Sequence, residues 1–297
     1  MTTDRAAGAA TQQAWDQQSV WSQAAGRAKA GIDRARTLSL VLGLAAAVLG
    51  TAASQVIAAH STLGKALAFG AACATGLVPI AARYAGPAAV RDWTRLRVTS
   101  ESLKSEIHIW LAGVTPYRAS DAQLVLHQRL KALREEAAQL LPRTAGIPPV
   151  PRRPPAVSDV ETYIELCLRP QISGYYLSRA RTLGSRAAWV RRGEVALGSV
   201  GVLLGALAGT FELEQAAAWV AVATTAGAAI GAHGMAANYA YQQVQFTATA
   251  AELEDAVARW YADTDRTSPA VEDAFVAHCE RVISVLNDTW MAKWTSE

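Results

Sequence analysis

The residues best suited to chemistry in this chain are few and far apart. The three cysteines, Cys73, Cys167 and Cys279, form no Cys-x-x-Cys pair, and there is neither a Gly-rich phosphate loop nor a His-Glu-x-x-His motif. Asp263 and Asp265 form a short acidic pair, which is more typical of a solvated loop than of a cation site. The sequence therefore predicts a protein that is not an enzyme and has no cofactor or metal.

Polar side chains inside long apolar runs are the remaining candidates for function. Thr75, Thr224 and Thr225 lie within such runs, and His233 lies near the end of one. Threonine hydroxyls in apolar helices often hydrogen-bond between helices, and an imidazole near a helix end suits the membrane interface. Those are the alternatives to a second hypothesis, in which these four residues line a pore.

The elements that must position these residues are membrane hairpins. Residues 195–211 and 215–251 are uncharged runs separated only by Glu212-Leu213-Glu214. About 17 to 25 helical residues cross the hydrocarbon core, so each run is long enough for a transmembrane span. Residues 37–59 and 66–82 predict an earlier pair of spans.

Small residues mark one face of the third span. Gly201, Gly205 and Gly209 recur every fourth residue and share a side of the helix. Such a face lets another backbone approach closely, so we predict helix packing at these three glycines.

The two hairpins resemble each other and indicate an internal duplication. Ala74 and Thr75 align with Thr224 and Thr225, and the same spacing aligns an apolar stripe that follows each hairpin. The stripes are Leu96, Leu103, Ile107 and Trp110 in the first half, and Phe246, Leu253, Val257 and Trp260 in the second.

Four segments follow from these patterns. We expect a disordered N-terminus at residues 1–14, a first two-span repeat at residues 15–141, and a second at residues 158–297. Between the repeats, residues 142–157 hold more than half of the chain's 11 Pro residues and predict an extended linker. A second helix is expected in each arm, at residues 121–141 and after the pair Ser268-Pro269, which suits a helix start.

Composition and charge agree with an all-α integral membrane protein. The 297 residues are 51% hydrophobic with a net charge of only +3, and no Lys or Arg lies between Gly193 and Ala258. Basic residues gather beside the spans, so the positive-inside rule places both termini and the linker in the cytoplasm. The fold class predicted is therefore four transmembrane helices, arranged as two repeated hairpins with cytoplasmic helical arms, and no nucleic acid is expected as a partner.

The second half resembles a known family. The segment ahead of its first span contains a Tyr, an Arg, a Gln and an aromatic pair, at Tyr163, Arg169, Gln171, Tyr175 and Tyr176. Near the chain's end stand Asn287, Trp290 and Trp294. Together these are similar to the entry and closing segments of the SLATT family of bacterial two-transmembrane effectors.

That resemblance implies a membrane effector of a bacterial defence or signalling system, located in the inner membrane and triggered by a separate sensor protein. A pore or ion channel is one form of such an effector, and a membrane scaffold that signals through its cytoplasmic helices is the alternative. Four spans are too few to enclose a wide aqueous path, so the pore hypothesis requires a homo-oligomer in the lipid bilayer.

Overall fold

The computed structural model describes the backbone of residues 2–295 and the side chains of residues 8–213 and 215–284. The described residues form helices joined by turns and irregular segments, without strands. The chain is all-α, as predicted. It divides into two compact units: an arm unit of Met1–Ala30, Pro87–Ala180 and Val244–Glu297, and a span unit of Gly31–Gly86 and Arg181–Gln243.

The helices of the first half are α1 (Thr2–Val56), α2 (Ser61–Arg83), α3 (Pro87–Leu111), α4 (Ala122–Glu136) and the short α5 (Leu141–Thr144). Those of the second half are α6 (Val160–Tyr163), α7 (Ser178–Phe211), α8 (Glu214–Ala237), α9 (Tyr239–Ala262) and α10 (Pro269–Thr295). The start of α10 directly after Ser268 confirms the predicted helix start.

The connection between α6 and α7 is largely π-helical. Residues Ile164–Leu168 and Gln171–Leu177 are π-helical, and Pro170 lies between them. We call residues 160–177 the entry segment. Single π-helical turns are rare and often occur at functional sites, which makes this segment a candidate functional site.

The first hairpin turn lies earlier than predicted. It comprises residues 57–60, and Lys65 belongs to the first turns of α2. The helix α2 then continues through Pro79 to Arg83. The second turn, at Glu212 and Leu213, agrees with the prediction, and Glu212 there has a positive φ of 53°.

The apolar stripes form the core of the arm unit. Leu103, Ile107 and Leu253 are completely buried, and Leu96, Phe246, Val257 and Trp260 are nearly so. Helices α10 and α4 both pack on α3. The indole of Trp260 lies 4.7 Å from the ring of Phe275 in α10. Burial of these seven side chains confirms that the stripes are core faces, although Trp110 of the first stripe is only half-buried.

The N-terminal segment differs from the prediction of disorder. The structure places residues 2–14 in α1, and Thr11 and Ala14 are buried. The indole N–H of Trp110 donates a hydrogen bond to the Thr11 hydroxyl at 3.0 Å. Composition alone indicated disorder because the partners of this segment lie about a hundred or more residues away in the sequence.

The Pro-rich linker is extended but attached to α1. From Gly146 to Asp159 it has no regular structure. Its backbone forms hydrogen bonds with three side chains on one face of α1. Gln12 donates to the Arg152 carbonyl, and Gln23 donates to the Pro148 carbonyl. The Ser19 hydroxyl accepts from the Val150 N–H. The linker is therefore a packed part of the arm unit.

Candidate functional site

Within the described part of the chain, four helices are long and apolar enough to cross a membrane. Their apolar side chains are largely exposed in the structure, with Phe69 at 73% and Val202 at 72% of their full accessible area. Exposed apolar surface of this kind suits contact with lipid tails rather than water. These helices make the chain a membrane protein.

In the first hairpin, small residues bring α1 and α2 together. A Cβ atom at Gly50 would lie 3.8 Å from that of Ala71, and one at Gly70 would lie 3.5 Å from the Leu49 side chain. The closest approach is at the turn, where a Cβ on Gly64 would lie 2.5 Å from the Ile57 Cα. Only glycine fits at that position without movement of the backbone.

In the second hairpin, the predicted glycine face lies partly against α8. Gly201 is buried, and a Cβ there would lie 3.8 Å from the Thr224 methyl group. At Gly205 the nearest group is Val220, at 4.0 Å, and Gly209 has no neighbour within 4 Å. The close contact is therefore concentrated at Gly201, whereas the Gly209 side of the face is open in this single chain.

The predicted pore residues lie on exposed or half-buried positions of the span unit. Thr75, Thr224 and Thr225 are exposed. The Thr75 hydroxyl donates to the Ala71 carbonyl at 2.9 Å, and the Thr224 hydroxyl bonds to carbonyls of its own helix. His233 is half-buried, with Nε2 3.5 Å from the Tyr239 hydroxyl. A pore-lining role for these residues stays a prediction.

The residues of the entry segment converge on α3 within the arm unit. The Gln171 carboxamide accepts a hydrogen bond from Lys104 Nζ at 2.7 Å and donates one to the Tyr176 hydroxyl at 3.0 Å. Burial raises the pKa of Tyr176, so its phenol stays neutral at physiological pH. Gln171 is thus the centre of a polar bridge between the entry segment and α3.

A second bridge joins the same two elements. Arg97 donates to the Tyr175 hydroxyl at 2.7 Å and pairs with Glu101 at 2.7 Å. Tyr175 in turn packs on Tyr176 and on Phe246 of α9, with ring centroids 5.2 and 5.8 Å away. The aromatic pair therefore holds α3, α9 and the entry segment together.

A buried carboxylate of the arm unit belongs to Glu280 in α10, which is 5% exposed. Glu280 accepts a hydrogen bond from the Tyr163 hydroxyl at 2.7 Å, and Nδ1 of His108 lies 3.4 Å from the same oxygen. Burial opposes ionisation of this carboxyl, but interactions with His108, Tyr163 and Ser105 outweigh it and hold the pKa of Glu280 below its ordinary value. Tyr163, from the entry segment, is completely buried.

Sequence reasoning found the entry-segment side of these bridges and missed the partners on α3 and α10. Arg97, Glu101, Lys104 and His108 follow one another at helical spacing on α3. They form a polar stripe beside the apolar one, and that spacing was the available signal. Among the described residues, no group of His, Cys, Asp and Glu is arranged to hold a metal ion.

The second half of the chain matches a known family. Residues 163–290 match the SMODS and SLOG-associating 2TM effector domain 1, the SLATT domain. The matched residues are thus similar to a SLATT domain. The match begins at the buried Tyr163 and includes the hairpin of α7 and α8, which confirms the resemblance predicted from the sequence.

The first half matches a different family model. Residues 19–123 match DUF4231, a protein family of unknown function, over a range that contains the hairpin of α1 and α2. Because the two halves match different models, their origin by duplication stays a prediction. No curated protein and no solved structure matches the chain significantly. The match to a 2TM effector domain, together with the apolar helices, indicates a membrane-associated effector.

Proposed function

We propose that this protein is a membrane effector that assembles as a homo-oligomer and forms an ion-conducting pore in the bacterial inner membrane. The 2TM effector domain over residues 163–290 is the observation that carries the proposal. That domain contains both the hairpin of α7 and α8 and the entry segment fixed to α3. We further propose that the protein has no enzymatic activity and that a separate sensor protein triggers it.

Basic residues give the proposed orientation. Arg27, Arg34 and Arg36 precede the first span, and Arg191 and Arg192 precede the third, whereas Lys65 is the one basic residue beside the two hairpin turns. By the positive-inside rule, both termini and the arm unit face the cytoplasm. A cytoplasmic arm unit is accessible to a cytoplasmic trigger.

Assembly follows from the number of spans. Four helices per chain do not enclose a wide water-filled path, so conduction requires several copies around a common axis. The open side of the glycine face, at Gly209, offers room for a helix of another copy.

One observation favours the alternative, a membrane scaffold that signals through its arms. The hydroxyls of Thr75 and Thr224 already bond to carbonyls of their own helices. The buried polar contacts that link different elements, such as Tyr163 with Glu280, lie in the arm unit. A scaffold needs those contacts and needs no water-filled path.

Recording from planar bilayers separates the two functions. The full-length protein is reconstituted and recorded alone and then with cell extract added as a source of the trigger. Ion currents in either condition support the pore. Silence in both conditions, with the oligomer shown to be intact in the same membranes, favours the scaffold.

A further inference from the structure

A cleft in the arm unit brings three cationic side chains together. It has a volume of about 140 Å³ and is lined by Gln18, Ser22, Arg97, Glu101, Lys104, Arg152, Gln171 and Tyr175. These residues come from α1, α3, the linker and the entry segment. One water molecule occupies about 30 Å³ of liquid, so the cleft has room for a group of several heavy atoms.

Each cation is held in place by a neighbouring side chain. Lys104 Nζ lies 2.7 Å from Gln171 Oε1, and Arg97 is fixed by Tyr175 and Glu101. Arg152 donates to Gln18 Oε1, and its guanidinium lies 4.4 Å from the centre of the Trp15 ring. The positive charges are therefore ordered before any ligand binds, which reduces the entropy lost on binding.

The charge of the cleft is not balanced by the residues around it. Glu101 is the only carboxylate among the lining residues, against three cations. Among the described residues, neither Lys104 nor Arg152 forms an ion pair, although Asp16 lies near enough to Arg152 to act on it electrostatically. Desolvation by neighbouring groups lowers the pKa of Arg152, although its side chain is still partly exposed to solvent.

We propose that this cleft binds a phosphate-bearing ligand. A planar guanidinium suits two oxygens of one phosphate, and a lysine ammonium adds a compact charge with three donors. Two arginines and a lysine line one small cleft, and these are side chains that commonly bind phosphate groups. The side-chain amides of Gln18 and Gln171, which are buried at 3% and 7% exposure, also line the cleft with polar atoms.

Binding in this cleft goes beyond the proposed function and does not depend on conduction. The phosphate belongs either to a soluble molecule or to a lipid headgroup, and the chemistry of recognition is the same for both. A ligand here touches α3 from the first half of the chain and the entry segment from the second half, so it ties both halves together.

The first arm of the test uses soluble probes. Full-length protein in an uncharged, phosphate-free detergent is titrated with inorganic phosphate and with pyrophosphate, with sodium chloride at matched ionic strength as the reference. Binding is followed by ³¹P NMR line broadening and by the thermal midpoint. The second arm places the protein in phosphatidylcholine nanodiscs with and without phosphatidic acid.

Cleft variants are expected to weaken binding selectively. Lys104→Met and Arg152→Gln should each lower affinity roughly tenfold or more, because each removes a charged hydrogen bond to the anion. Arg153→Gln is the matched control, since it removes the adjacent exposed arginine, which does not line the cleft. Thermal midpoints without ligand establish that each variant is folded, and Arg152→Gln, which changes an exposed linker side chain, provides the test if Lys104→Met does not fold.

Saturable binding in either arm that falls in the cleft variants and persists in Arg153→Gln supports the proposal, and the responding arm identifies a soluble or a lipid source. The proposal is overturned if no probe binds saturably in either arm. It is equally overturned if Arg153→Gln weakens binding as much as the cleft variants do.

Discussion

At the scale of single residues, the buried Glu280 carboxylate has the clearest consequence for stability. Its pKa is lowered in the folded protein, so the folded state favours the ionised form more than the unfolded chain does. Its stabilising contribution is then complete above the unfolded pKa of about 4.5 and is lost as the pH falls through the lower folded value. The arm unit should therefore become less stable in acid.

We predict that Glu280→Gln lowers stability at neutral pH and flattens the acid dependence. The loss should be about 1–3 kcal/mol, because the Tyr163 hydroxyl and His108 lose a charged partner in a buried site. Thermal midpoints measured from pH 7 down to pH 3.5 check this. The gap between variant and wild type should shrink toward acid, whereas Glu135→Gln, on the exposed α4 surface, should leave the curve unchanged. A gap that is constant with pH would contradict the assignment.

Gly64 offers a second residue-scale prediction, on backbone packing. Gly64→Ala should destabilise the first hairpin by about 1–3 kcal/mol, because the new Cβ meets the Ile57 backbone rather than a flexible side chain. Gly76→Ala is the matched control in the same helix, since nothing lies within 4 Å of a Cβ there. Thermal unfolding in detergent compares them, and equal midpoints for the two variants would show that the turn relaxes without cost.

At the scale of elements, the sequence was informative wherever a pattern is local. The uncharged runs predicted the spans, and Ser268-Pro269 predicted the start of α10. The two apolar stripes, one with Leu103 and one with Leu253, predicted the core faces. Each of these signals depends only on residues within one helix.

What could not be predicted depends on partners distant in sequence. The helix at residues 2–14 looked disordered because its hydrogen-bonding side chains bind the linker and α3. The Tyr163 site was incomplete because Glu280 and His108 approach it only after α10 packs on α3. The left-handed conformation of Asn238, which ends α8, could not be predicted either, since a single Asn in an apolar run carries little local signal.

The attachment of the linker to α1 gives the prediction for this scale. Replacing Ser19 and Gln23 by Ala removes the partners of the Val150 N–H and the Pro148 carbonyl. The linker should then open more often, and brief trypsin treatment should cut faster after Arg152. Gln13→Ala, on an exposed position of the same helix, is the control. If the double variant and the control are cut at the same rate, these bonds do not hold the linker.

At the scale of the whole molecule, orientation is the first question. We predict that single cysteines at Ser61, in the first turn region, are labelled by a membrane-impermeant maleimide in intact cells, in a background without the three native cysteines. A single cysteine at Arg153, in the linker, should be labelled only after lysis. This follows from the distribution of basic residues. Labelling of the linker in intact cells would contradict the proposed orientation.

The second question is whether the threonines face water in the assembled protein. Val is nearly the same size as Thr but lacks the hydroxyl, so Thr224→Val with Thr225→Val removes polarity while nearly preserving shape, including the methyl contact with Gly201. The Thr224 hydroxyl already bonds to its own helix, and carbonyls released by the change can accept from water only if water is present.

If these side chains line the path, single-channel conductance in planar bilayers should fall severalfold while the amount of assembled protein stays constant. Ser199→Ala, another exposed hydroxyl of the same hairpin that bonds to its own helix, is the control and should leave conductance unchanged. Unaltered currents in the threonine double variant would place the conducting path elsewhere on the spans, because a constriction that loses two hydroxyls per chain becomes less favourable for hydrated ions.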